Sequence, residues 1–243
     1  MRDAWWDLFH GGVCVGCGEP GRLLCRSCDR ALPDACLAVR PTPCPPGLAP
    51  SFAADEYADP LRALVLAHKE HQGFALARPL GRVLAGVVMR LPLQEVPLVM
   101  VPVPSRPAVV RARGHDPLLR IVRTAAARCR RGGIEARTLG LLRQRRRVAD
   151  QAGLGLAGRA DNLRESMAVD PRARAVLART EQPVRVVVCD DVLTTGATAR
   201  EAQRALADAG ISVFAIACVC ATRRRAVVEP LPRCHLPFSP PAD

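Results

Sequence analysis

The sequence predicts an α/β protein in which a parallel sheet is flanked by helices and preceded by a small metal-binding module. Apolar runs that suit buried strands alternate with segments of helical spacing, which is the pattern of a doubly wound sheet. Two closely spaced Cys-x2-Cys pairs stand near the start of the chain. Close to position 190 an apolar run leads into two acids and a Thr/Gly turn, which is typical of a strand that ends in a ligand site.

Composition indicates a globular protein with a strongly basic charge balance. The chain has 243 residues, 49% of them hydrophobic, and a formal net charge of +12. This charge favours polyanions, among them nucleic acid and pyrophosphate, without choosing between them. With 3% aromatic residues, a nucleic-acid surface would be mainly electrostatic. Because no apolar stretch reaches the ~20 residues of a membrane helix and the start lacks a signal-peptide core, we expect a cytoplasmic protein without a membrane span.

Residues 1–40 predict a zinc module. Four of the eleven cysteines form the pairs Cys14-x2-Cys17 and Cys25-x2-Cys28. Four thiolates at this spacing can surround one Zn²⁺ and leave no open position, so we expect the metal to be structural. A thioredoxin-like redox site is disfavoured because it needs a single pair beside a βαβ unit. Three further cysteines have no assigned role: Cys36, Cys44 and Cys234.

Residues 41–58 are expected to be a linker, because their many prolines disfavour helices and central strands. The main domain is expected over 59–230 and a flexible tail over 231–243. After residue 59 the apolar spacing predicts two helices, interrupted near Gly73.

The later elements follow from periodicity and local signals. They are a strand at 96–103, a helix at 116–131, a short strand at 137–142, a strand at 184–190, a helix at 199–209 and a strand at 211–221. Clustered charge and three glycines predict a mobile loop at 143–158. Its GLGLAG run matches a dinucleotide-binding pattern, but no strand precedes it, so that interpretation fails.

Residues 186–198, VVVCDDVLTTGAT, carry the most specific chemistry. At the end of a strand, the carboxylates of Asp190 and Asp191 can accept hydrogen bonds from two ribose hydroxyls. The Thr/Gly turn can direct amide N–H groups at a phosphate, aided by the positive end of the next helix. A simple turn with a helix cap explains one such residue, not two acids, three threonines and a glycine. The expected phosphoribosyl-binding residues are Asp190, Asp191, Val192, Leu193, Thr194, Thr195, Gly196, Ala197 and Thr198.

This segment resembles the phosphoribosyl-diphosphate-binding motif of type I phosphoribosyltransferases. Together with the cysteine module, VPVPSR at 101–106 and RARG at 111–114, it makes the chain similar to the ComF/GntX family of competence-associated proteins. The resemblance covers nearly the whole chain and is strongest over 96–222. It implies a type I phosphoribosyltransferase-like parallel sheet and a transferase that binds phosphoribosyl diphosphate with Mg²⁺ and is linked to DNA uptake.

The resemblance also implies residue roles. The catalytic residues would be Asp190, Asp191 and Arg106. The pyrophosphate-binding residues would be Ser105, Arg106, Arg111, Arg113 and Lys69. The lid would contain Gln151, Arg159 and Asn162. The chain departs from the family pattern at GHDP (114–117) and at Ala149-Asp150, where an acceptor or the lid would be recognised, so the acceptor stays open.

Two other functions remain as alternatives. One is a non-catalytic adaptor that contacts single-stranded DNA or a helicase-like partner through its zinc module and basic face, with the salt dependence of counterion release. The other is a transcriptional regulator, which is ranked last because the sequence has no helix-turn-helix pattern.

Overall fold

A computed structural model describes residues 12–70, 73–93, 95–105, 107–145, 165–180, 182–222 and 226–230. The strands are β1 (Leu37–Pro41), β2 (Ser51–Glu56), β3 (Leu98–Pro102), β4 (Ala136–Thr138), β5 (Leu142–Gln144), β6 (Met167–Val169), β7 (Arg185–Leu193), β8 (Ala215–Ala221) and β9 (Ala226–Pro230). The helices are α1 (Arg26–Arg30), α2 (Leu61–Glu70), α3 (Ala77–Met89), α4 (Pro107–Arg113), α5 (Pro117–Arg131), α6 (Pro171–Ala178) and α7 (Ala197–Asp208), with a 3₁₀ turn at Phe74–Leu76.

Within the described residues, seven strands form one sheet in the order β4-β3-β7-β8-β2-β1-β9. Strands β4, β3, β7, β8 and β2 run parallel, and β1 pairs antiparallel with both of its neighbours. β3 and β8 are buried at every position, as expected of apolar strands that are covered on both faces. Helices α3 and α5 pack against each other and on the sheet, while α7 packs on β7 and on the strands β5 and β6. The predicted α/β class with a mostly parallel sheet is confirmed.

Among the elements expected after residue 95, two differ most from the prediction. β7 continues through both acids to Leu193, because Asp190 and Val192 still pair with β8. The expected strand at 137–142 is divided: β4 joins the main sheet, whereas β5 pairs with β6 in a separate two-stranded sheet. Helix α5 begins and ends as expected, since Asp116 caps it by accepting from the Leu119 N–H and Gly132 follows its last turn.

The proline-rich stretch expected as a linker contains a strand of the main sheet. β2 pairs in parallel with β8 and antiparallel with β1, and its residues 51–54 are buried. The prolines stand at 41–50, before β2, which contains none. The sheet therefore begins at Leu37 rather than after residue 58, so the metal-binding module is shorter than the expected 1–40. The expected tail at 231–243 lies outside the described residues.

Ion pairs and apolar contacts attach the cysteine module to α3. Asp29 pairs with Arg82 at 2.9 Å and Asp34 pairs with Arg90 at 2.8 Å. Exposed pairs of this kind contribute about 1 kcal/mol or less each. The burial of Leu32 in the main core is therefore the stronger attachment. In the described part of the chain, no helix combines the length and apolarity that a membrane span requires.

Candidate functional site

The two acids of the sequence motif lie inside β7, near its carboxyl end. Asp191 is buried, with 6% of its surface exposed, and Asp190 is half-buried. The Asp190 Oδ1 accepts a hydrogen bond from the Asp191 backbone N–H at 2.9 Å. Parallel strands place their carboxyl ends at the edge where α/β proteins bind ligands. The acids therefore lie where the sequence predicts them, although within the strand instead of after it.

Lys69, at the end of α2, contacts one of these acids directly. Its Nζ lies 2.6 Å from the Asp191 Oδ2, and its side chain is 34% exposed. The preceding residue, His68, is buried between the carbonyl oxygens of Gly73 (2.9 Å) and Pro117 (3.1 Å). This double contact fixes the end of α2 against the start of α5. The sequence resemblance assigns Lys69 to pyrophosphate, and the structure brings it to the acids that the sequence predicts to bind ribose.

The pKa values of Asp190 and Lys69 are both raised, but for different reasons. Desolvation, followed by the negative charge of Asp191, raises the pKa of Asp190 to about 8. Desolvation lowers the pKa of Lys69, but the charges of Asp191 and Asp190 outweigh it and raise that pKa above its ordinary value. A carboxyl group that titrates near neutral pH beside a cation is a frequent feature of functional sites.

The Thr/Gly turn connects β7 to α7. Gly196 takes the left-handed conformation, with φ 71°, and precedes the first residue of α7. The Thr195 hydroxyl accepts from the Ala197 backbone N–H at 3.3 Å. Thr194 is exposed and Thr198 is half-buried. A turn of this shape directs helix N–H groups outward, as an anion site requires. The Leu193 side chain is 2% exposed and belongs to the core.

The proline-rich segment at 41–49 supports this turn from behind. A Cβ atom on Gly196 would lie 3.0 Å from the Pro41 Cγ and 3.1 Å from the Leu48 Cδ2. Arg200 and Gln203 of α7 donate to the carbonyl oxygens of Pro46 (2.9 Å) and Gly47 (2.8 Å). This support is not predictable from the sequence, because no local pattern in 41–49 or in α7 indicates that the two segments are in contact.

The predicted pyrophosphate residues are described only in part. Val103, just after β3, donates its N–H to the Cys189 carbonyl at 3.0 Å, so the end of β3 lies beside the start of the acidic pair. Two residues later, the Ser105 hydroxyl donates to the Asp116 Oδ1 at 3.1 Å. Arg111 is exposed on α4. The following predicted residues or side chains lie outside the described part: Arg106, the Arg113 side chain, Gln151, Arg159 and Asn162.

A buried acid on α7 holds strand β6 of the two-stranded sheet beside the site. Glu201 is 5% exposed, accepts from the Met167 N–H at 3.0 Å and pairs with Arg204 at 2.8 Å. Hydrogen bonds from the Met167 backbone and Arg204 lower the pKa of Glu201 despite its desolvation, which is the largest single influence and acts in the opposite direction. β6 is thereby fixed to the helix that follows the Thr/Gly turn. Nothing in the sequence around Glu201 or Met167 predicts this contact.

The four cysteines of the module converge as predicted. Their sulfur atoms all lie within 4.8 Å of one another, and such a set could hold a metal ion such as zinc. The Cys25 N–H donates to the Cys14 sulfur at 3.3 Å, and the Ser27 hydroxyl is the largest influence that lowers the pKa of Cys25 to about 6. Cys36 lies outside this group and is buried in the main core, where desolvation raises its pKa to about 11.

The module is also shaped by one glycine. A Cβ atom on Gly16 would lie 2.9 Å from the Cys28 sulfur, so a larger residue there would displace a predicted ligand. Neighbouring backbone bonds close the loop, with Cys14 N–H donating to the Glu19 carbonyl at 2.7 Å and Gly18 N–H to the Cys14 carbonyl at 2.8 Å. The donor set and its backbone therefore suit a closed, structural metal site.

Comparison of the chain with family models and with curated proteins finds no match. The fold and the cysteine cluster define the class: an α/β protein with a mostly parallel sheet, flanked by helices, and a four-cysteine cluster near its N-terminus that could hold zinc.

Proposed function

We propose that the protein binds phosphoribosyl diphosphate, or a related phosphoribosyl ligand, with Mg²⁺ and acts as a phosphoribosyltransferase that serves DNA uptake. The supporting observation is the order of groups at the end of β7: two acids, one paired with Lys69, followed by a Thr/Gly turn that opens α7. Sugar hydroxyls bind to hydrogen-bond acceptors and a phosphate binds to amide donors. The end of β7 offers the acceptors first and the donors a few residues later.

The ligand would lie across the strand end in a defined direction. Asp190 and Asp191 would accept from the ribose hydroxyls, and the turn at 194–198 would hold the 5′-phosphate. Lys69 adds a cation beside the acids, which reduces the repulsion between them and an anionic ligand. The role in DNA uptake and the choice of transferase over plain binding come from the family resemblance of the sequence.

The donor chemistry of the two acids also suits Mg²⁺, because carboxylate oxygens are the ligands that hard cations prefer. When bound with the diphosphate, Mg²⁺ would supply charge neutralisation for the departing pyrophosphate. In the transfer, the bond from the anomeric carbon to pyrophosphate breaks, the electron pair leaves with pyrophosphate, and an acceptor nucleophile forms the new bond and releases its proton. The protein's own part is to orient the ribose and anchor its phosphate.

Calorimetry with Mg²⁺ and phosphoribosyl diphosphate tests the binding step. The double variant Asp190→Asn/Asp191→Asn should bind at least about tenfold more weakly than the wild type, because it loses both carboxyl groups, among them the charge-assisted acceptor Asp191. The control is Asp208→Asn, an exposed acid of α7 outside the site, which should bind normally. Unchanged affinity in the double variant, with a retained thermal transition, would rule out the assignment.

A pyrophosphate-release assay tests the transfer step. Nucleobases and single-stranded DNA serve as trial acceptors with the full chain, Mg²⁺ and the diphosphate. Release that depends on both Asp190 and an added acceptor supports the transferase. Tight binding without release from any acceptor contradicts it and favours a non-catalytic adaptor.

A further inference from the structure

A groove of about 1020 Å³ lies between the cysteine module and the helices α3 and α5, and none of its residues belongs to the proposed phosphoribosyl site. One wall is Arg22 to Leu24 with Asp29 of the module, and the other is formed by residues of the two helices and the 3₁₀ turn before α3. We call it the arginine groove after its cations, which are Arg22, Arg78, Arg82, Arg123, Arg128 and Arg131.

The arginine groove has a large excess of positive charge. Asp29 is the acid among its described lining residues, and its carboxylate pairs with Arg82 at 2.9 Å. The other five arginines are exposed and form no ion pair with an acid in the described ranges. Arg128 and Arg131 stand three residues apart on α5, where like charges repel each other. A bound anion would remove this repulsion.

The floor between the arginines is apolar. Leu23, Leu24 and Pro79 are half-buried there, and the small side chains of Ala75 and Ala127 leave the groove open. No aromatic ring is found among the described lining residues. The surface therefore combines guanidinium groups, which bind carboxylates bidentately, with an aliphatic strip. Removing this strip from water is energetically favourable.

We propose that the arginine groove docks an acidic amphipathic helix of a partner protein. The apolar face of such a helix would cover the leucine and proline strip, and its acidic flanks would meet the arginines on both walls. A helix about 10 Å across would fill a volume of this size over roughly two to three turns. A single nucleic-acid strand fits less well, because it gains much of its affinity by stacking on aromatic rings, which the described lining lacks.

One wall of the arginine groove belongs to the cysteine module. Arg22 follows Gly21, whose N–H donates to the Gly12 carbonyl at 2.6 Å, and Leu23 accepts from the Val15 N–H at 2.9 Å. These bonds hold the wall to the loop that carries the first cysteine pair. Docking therefore requires the folded module, which gives the module a recognition role in addition to its structural one.

Fluorescence anisotropy with the zinc-loaded full chain tests the proposal. The probe is a labelled helical peptide of about 15 residues, with leucine on one face and glutamate elsewhere. A second peptide has the same composition, rearranged so that the leucines do not share a face. The first peptide should bind at least about tenfold more tightly than the second, because only it can cover the apolar strip.

Charge-reversal variants localise the binding. Arg123→Glu/Arg131→Glu should weaken binding of the amphipathic peptide by at least about tenfold. The control Arg172→Glu/Arg179→Glu changes net charge equally at exposed arginines of α6 and its C-cap, and should stay within about twofold of wild type. Arg123→Lys/Arg131→Lys keeps the charge and should retain most of the affinity, which separates charge loss from misfolding.

Four results would overturn the proposal: no binding of the amphipathic peptide, equal binding of the two peptides, equal losses in the two charge-reversal variants, or displacement of the peptide by a more tightly bound oligothymidylate. The last result would instead assign the arginine groove to a nucleic-acid strand. Circular dichroism and a thermal transition for each variant confirm that the compared proteins are folded.

Discussion

Lys69 and Asp191 form an ion pair, with 2.6 Å between Nζ and Oδ2, that joins the end of α2 to β7. Lys69 therefore places a positive charge beside Asp191. The neighbouring Asp190 accepts a hydrogen bond from the Asp191 backbone N–H and is repelled by the negative charge of Asp191. The two adjacent acids consequently differ in character. One is a paired carboxylate, and the other has a pKa raised to about 8.

Removing the cation should destabilise the protein. Lys69→Met keeps most of the side-chain volume but leaves a buried carboxylate without its ion pair. We expect a loss of about 1–2 kcal/mol in the free energy of unfolding, less than for a fully buried pair because Lys69 is partly exposed. Urea unfolding of Lys69→Met, Asp191→Asn and the double variant gives the coupling energy. Additive losses would show that the contact stabilises nothing, and Lys69→Arg is the charge-preserving control.

Asp190 should make stability depend on pH. Its pKa is near 4 in an unfolded chain and about 8 in the folded protein, so its stabilising contribution is complete below about pH 4 and declines as pH rises to about 8. Asp190→Asn removes this titration. Relative to wild type, the variant should therefore gain stability steadily between about pH 4 and pH 8. Urea unfolding of both proteins across this range measures the difference, in which titrating groups that do not interact with Asp190 cancel. A difference that does not change with pH would contradict the raised pKa.

Local signals made the central elements predictable. β3 is an uninterrupted apolar run, β7 contains the apolar run 186–189 just before its two acids, and α5 has an Asp-Pro start and a glycine after its end. β1 and β2 could not be placed in this way. Their position depends on pairing with β8 and β9, which lie far away in the sequence, and the neighbouring prolines suggest a linker instead.

The site was predictable to the same extent. The acids, the Thr/Gly turn and the cysteine pairs are recognised from residues close together in the chain. The contact of Lys69 with Asp191 joins residues that are distant in sequence, and so does that of Gln203 with Gly47. Such contacts depend on the folded chain path, so composition and spacing leave them open.

Metal removal should unfold the cysteine module while the sheet stays folded. Structural zinc contributes about 10–16 kcal/mol in small zinc domains, far more than the two exposed ion pairs that attach this module to α3. We expect about one zinc per chain by elemental analysis. After chelation, trypsin should cleave at the module's arginines (22, 26 and 30) faster than elsewhere in the described residues.

A pair of cysteine variants controls for the effects of the chelator itself. Cys17→Ser should lose zinc and show the same trypsin sensitivity without chelation. Cys44→Ser, outside the four-cysteine group, should retain both zinc and resistance. Full zinc occupancy in Cys17→Ser would remove Cys17 from the ligand set.

Gly196 lies where the Thr/Gly turn meets the proline-rich segment. A side chain there would meet both a positive φ and close packing, and two glycine variants separate these two effects. Gly210→Ala meets a positive φ of 78° in open space, so it should cost about 1 kcal/mol through backbone strain alone. Gly196→Ala has a similar φ of 71° but would also press a methyl group against Pro41 and Leu48. We expect it to cost about 1–3 kcal/mol more, as overpacked sites do.

Hydrogen exchange shows which part of the structure is disturbed by the extra destabilisation in Gly196→Ala. The Ala49 N–H donates to the Gln203 side chain at 2.9 Å, so it reports on the contact between the proline-rich segment and α7. If Gly196→Ala displaces the segment, this amide should exchange faster than in Gly210→Ala at equal global stability, adjusted with denaturant. Equal costs and equal exchange would mean that residues 41–49 yield freely and do not support the turn, so their side chains would have no part in the shape of the proposed phosphate site.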